Sequence, residues 1–66
     1  MEMEEVIRNE LEHFYNERSR TKREMESATG LDLINCRQRM IMIREIIEIK
    51  EERLREVLNI KENKVK

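Results

Sequence analysis

The chain has 66 residues, 44% of them charged, with one glycine, no proline, one cysteine and a formal net charge of −1. Such a length allows one domain, residues 1–66, and buries too little of its own surface to be comfortably stable without a metal, disulfides or a partner. A single cysteine excludes an internal disulfide scaffold and fits a reducing, cytoplasmic setting, no apolar run approaches the roughly 18 to 20 residues of a membrane span, and "MEMEEVIRNE" lacks the features of a signal peptide.

Glu, Arg, Lys, Ile, Met and Leu dominate, the composition of long helices and coiled coils. High charge also suits disorder, but the apolar residues recur at helical spacing, which favours folded helices. Charge is unevenly spread: residues 1–17 hold six acids and one base, residues 18–44 hold seven bases and three acids, and residues 45–66 hold six of each.

The first helix is predicted over about residues 3–28. Ile7, Leu11, Phe14, Arg18, Thr21, Met25 and Ala28 follow a 4-3 alternation, a narrow seam interrupted once by Arg18. Arg18 is expected either to reach past the core or to pair with Glu45. Continuing the same register would place Asp32, Asn35 and Arg39 in the core, so one uninterrupted helix is a poor fit. The break coincides with "SATGLD", where Gly30 can take the left-handed conformation that ends a helix and Thr29 with Asp32 resembles a capping box. A tight helical-hairpin turn is therefore predicted at about residues 29–31.

The second helix is predicted over about residues 32–62, followed by a charged, fraying tail at about residues 61–66. Its seam comprises Leu33, Cys36, Met40, Ile43, Ile47, Lys50, Leu54 and Val57. A second apolar row, Leu31, Met42, Ile46, Ile49 and Ile60, lies roughly 110° around the helix at about 100° per residue. The apolar arc is then about 200° wide, against roughly 100° for an ordinary amphipathic helix. Ile34 and Ile41 fit neither row well. Alternating "IMI" could also read as a strand, but charged flanks and the sustained 3.5-residue pattern favour helix.

An antiparallel fold-back about Gly30 would bring level those residues whose numbers sum to about 59 or 60, such as Met25 with Ile34 and Leu11 with Glu48 or Ile49. The expected hairpin core is Ile7, Leu11, Phe14 and Met25 from the first helix with Cys36, Met40, Ile43, Ile47 and Leu54 from the second. Met42, Ile46, Ile49, Ile60 and Ile41 are left for another chain. The expected architecture is an all-α antiparallel hairpin that dimerises into a four-helix bundle.

Candidate residues for chemistry are few. Glu10 and His13 have the Glu-x-x-His spacing of di-metal bundles, but the helical wheel turns His13 away from the seam and Glu45 and Glu48 away from the second helix's apolar arc. No metal or cofactor is expected. Cys36 lies on the apolar row, where a small thiol packs well, and has no Cys-x-x-Cys partner. Met40 and Met42 suit either core filling or a surface that adapts to a partner. With no glycine loop and no nucleophile beside a base, no catalytic residue is expected. Arg18, Arg20, Lys22, Arg23, Arg37 and Arg39 cluster near the turn and could contact phosphates or an acidic partner, although no aromatic residues interleave with them. The sequence therefore reads as a non-catalytic interaction protein, a homodimer with a further protein partner. An RNA- or DNA-binding hairpin dimer is the alternative.

Overall fold

The computed structural model describes the backbone of residues 2–65 and the side chains of residues 2–61. Two helices, α1 (Met3–Ser27) and α2 (Leu31–Val65), pack along one another as a hairpin measuring 55 × 17 × 14 Å. No strand occurs among the described residues. The first turn of α1 carries Glu4 and Glu5, acids that complement the positive end of the helix dipole.

Three residues make the connection. Ala28 leaves the helix in an extended conformation, its N–H still donating to the Glu24 carbonyl at 2.9 Å. Gly30 has φ of +60°, and its carbonyl accepts the Ile34 N–H at 3.2 Å. The left-handed residue thus opens α2 instead of closing α1. It takes the place that the sequence assigns to Thr29, and no Thr29–Asp32 reciprocal cap is found among the described hydrogen bonds. At its far end the α2 backbone is helical through Val65, whereas the sequence predicts a tail at about residues 61–66. No proline or glycine stands there to stop the helix. The side chains of residues 62–66 lie outside the described residues.

The core is one file of side chains. Ile7, Leu11, Ile43 and Ile47 are buried together, with Phe14, Tyr15, Leu54 and Val57 packed against them. Nearer the turn the buried residues are smaller, Thr21 on α1 and Cys36 on α2, flanked by half-buried Met25 and Met40. Cross-helix polar contacts join residues whose numbers sum to between 60 and 66, from Glu10 with Lys50 to Tyr15 with Glu51. The level is thus set slightly beyond the predicted 59 or 60.

With so few fully buried side chains, each carries a large share of stability. Truncation of Ile47, 3% exposed, to alanine is expected to cost about 2–5 kcal/mol. Urea denaturation followed by circular dichroism would measure this as a loss of most of the hairpin's cooperative transition.

Candidate protein-interaction site

The residues of the second apolar row stand outside the hairpin. Leu31 is 76% exposed, Met42 62%, Ile49 64% and Ile60 59%, while Ile46 is half-buried at the border between this row and the core. Ile34 and Ile41 are also exposed, on the back of α2. The reason is geometric. The groove between two helices covers about a third of each circumference, and the apolar arc of α2 extends well past it. Single exposed apolar residues are ordinary on a protein surface, whereas an aligned row on one helix is a candidate contact surface.

Polar pairs fence the hairpin seam. On the side nearest the row, Lys50 Nζ lies 2.9 Å from Glu10 and 5.9 Å from the Phe14 ring centroid, and Arg39 donates to Glu24 at 3.1 Å. On the opposite side the Tyr15 hydroxyl donates to Glu51 at 2.7 Å. At the open end, Lys61 sits between Glu2 and Glu4 at 3.5 and 3.6 Å, and these acids push its pKa up. The heptad spacing puts Lys50 in the seam, and its partner there is Glu10. The detectable signal was opposite charges, or a phenol and an acid, at matching levels of the two helices.

Several expected site residues are otherwise engaged. Arg18 lies 5.2 Å from the centroid of the Tyr15 ring, a cation–π arrangement, instead of pairing with Glu45. Tyr15, three residues earlier on the same helix face, is within easier reach than an acid on the outer side of α2. Arg20 pairs with Glu17 at 3.3 Å and Arg39 with Glu24, which leaves Lys22, Arg23 and Arg37 without an ion pair among the described residues. A shallow groove of about 510 Å³, walled by Arg18, Ser19, Lys22, Met25, Met40 and Arg44, contains no acid. Glu10 is occupied by Lys50, His13 lies edge-on to Phe14 at 5.2 Å, and no cluster of metal-ligating side chains occurs among the described residues. Cys36 is a buried free thiol, its Sγ 3.9 Å from Glu24. No described helix is long and apolar enough to cross a membrane.

The chain matches no family model, no curated protein and no solved structure, so its own residues carry the functional reading.

The Tyr15–Glu51 bond gives a spectroscopic handle on the hairpin. Donating to the Glu51 carboxylate favours the neutral phenol, so the Tyr15 pKa lies above its ordinary value of 10.0. Folding therefore retains a proton that the unfolded chain releases. This stabilising contribution is complete below pH 10.0 and is lost as pH rises from there through the folded-state value. Ultraviolet titration of this single tyrosine is expected to show the upward shift in the wild type, and Glu51→Gln is expected to bring the midpoint back toward the ordinary value.

Proposed function

We propose that this chain is a small, self-associating helical hairpin that works by protein–protein interaction, as an adaptor, inhibitor or regulator, without catalysis of its own. Two copies would form a four-helix assembly, and a cytoplasmic, reducing setting suits the free thiol of Cys36. One observation carries this reading: the hairpin leaves more large apolar side chains outside than inside. Its buried apolar residues are Ile7, Leu11, Cys36, Ile43 and Ile47, whereas seven large apolar side chains remain exposed, from Met3 to Ile60. Covering Leu31, Met42, Ile49 and Ile60 on each of two copies would contribute about 1–2 kcal/mol per side chain for the part still exposed. That total is comparable with the about 4–15 kcal/mol that association costs. The eight side chains together contribute about 8–16 kcal/mol, so a dimer forms where the cost of association lies toward the lower end of its range, and the pairing stays weak enough to be exchanged for another partner.

Analytical ultracentrifugation is expected to find a dimer of the wild type at micromolar concentration. Met42→Glu combined with Ile49→Glu is expected to give a helical monomer, because neither position contributes to the buried core. A folded wild-type monomer at that concentration would defeat the proposal.

A second reading, binding of RNA or DNA, draws support from the acid-free groove at Arg18, Lys22 and Arg44. It is the weaker one, because Arg18, Arg20 and Arg39 are engaged within the chain. Fluorescence anisotropy with mixed-sequence RNA is its measure. Phosphate recognition predicts binding that falls steeply with salt and disappears in Lys22→Glu with Arg44→Glu, and no binding at low salt would remove this reading.

A further inference from the structure

We infer that the occupant of the exposed α2 row is the same row of a second copy, running antiparallel, with a two-fold axis passing beside Glu45 and Ile46. This rests on the self-association proposed above and specifies which surfaces meet and in what register.

The row itself supplies the first argument, because it is nearly palindromic. Reading along the exposed face at alternating steps of four and three gives Leu31, Asn35, Gln38, Met42, then the centre, then Ile49, Arg53, Glu56 and Ile60. In an antiparallel pair centred between residues 45 and 46, residues whose numbers sum to 91 are level. Leu31 then meets Ile60, Met42 meets Ile49, Gln38 meets Arg53 and Asn35 meets Glu56, so on either side of the centre apolar lies on apolar and polar on polar, while at the centre itself Glu45 is level with Ile46. A parallel pair would instead set every residue against itself, placing Arg53 on Arg53 and Glu56 on Glu56, where like charges repel.

Charge along the hairpin points the same way. The turn half, residues 18–44, holds seven bases and three acids, while the open half, residues 2–17 with 45–61, holds eleven acids and five bases. Antiparallel docking lays each basic half over an acidic one, and parallel docking stacks like on like.

Shape adds a third argument. Among the described residues Leu31 is the most exposed large apolar one, and beside Ile60 lies a shallow cavity of about 220 Å³ bordered by Met3 and Val57 and rimmed by Glu2, Glu4 and Lys61. In the antiparallel register Leu31 of one copy arrives at that cavity of the other. Only α2 can provide the contact, since the neighbouring flank of α1 carries Glu10, Glu17 and Glu24. The two α2 helices therefore meet at the centre, with the α1 helices outside.

Two experiments test the register. Asn35→Lys combined with Gln38→Glu leaves the net charge unchanged and creates Lys–Glu56 and Glu–Arg53 pairs only in the antiparallel dimer. The dissociation constant is expected to tighten roughly two- to ten-fold, whereas weaker dimerisation would overturn the inference in favour of a parallel one. Separately, Leu31→Cys and Ile60→Cys chains, each in a Cys36→Ser background, are mixed and oxidised. A disulfide between the two different chains is expected, with none between two Leu31→Cys chains, whose thiols would lie roughly 43 Å apart. A Leu31→Cys homodimer disulfide, or a dimer that forms no cross-link, overturns the register while leaving self-association standing. A wild-type monomer would instead remove the underlying reading. Should Cys36→Ser lose its helical circular dichroism, the charge variant, which keeps Cys36, decides.

Discussion

The constraint on which this molecule turns is the mismatch between the apolar circumference of α2 and what a single α1 can cover. The face of α2 toward α1 holds Cys36, Ile43 and Ile47 in the buried file, while the face beginning at Ile46 and extending through Met42 and Ile49 has no cover among the described residues. Ile46 stands half-buried at the boundary between the two faces. The exposed face is carried on an uninterrupted helical backbone and includes Met42, whose flexible thioether side chain can take several shapes.

The polar fence complements this core differently. Pairs such as Glu10 with Lys50 and Glu24 with Arg39 are partly solvated, and each is worth about 0–1 kcal/mol. Their value lies in alignment. An apolar file of Ile and Leu tolerates sliding by one heptad almost as well as the native register, but sliding α1 by seven residues would take Lys50 away from Glu10 and Tyr15 away from Glu51 together. Lys50 lies over the Phe14 ring with its stem along the core, so one side chain contributes both to covering the apolar file and to its registration.

Much of this fold was legible in the sequence because a long, strictly spaced apolar pattern leaves few alternatives. The 4-3 spacing from Ile7 to Met25, its failure beyond Ala28 and the lone glycine together specify two helices and a turn. The angular separation of Met42 and Ile49 from Ile43 and Ile47 likewise follows from the pitch of a helix, which is nearly invariant. What the pattern did not contain was choice among polar partners. Arg18 has Tyr15 and Glu45 both within plausible reach, and the outcome depends on side-chain path and not on spacing. Arg39 similarly reads as part of a basic cluster until the fold-back level places Glu24 beside it. The start of α2 is ambiguous in the sequence for a related reason: Thr29 and Gly30 can each precede a helix, and the backbone angle that separates them is not written in the residue types.

Gly30 carries the connectivity of the whole arrangement. Its φ of +60° disfavours any side-chain-bearing residue, although a β-carbon there would meet nothing within 4 Å, so the resistance to substitution is purely torsional. The alternative that such a substitution favours is a straight passage from α1 into α2. A chain opened in that way keeps every complementary residue of its core but must find it on another molecule, with α1 of one chain against α2 of the next. The same inventory of contacts would thus serve a closed hairpin or an exchanged pair of long rods, and the backbone angles of Ala28 and Gly30 separate the two topologies.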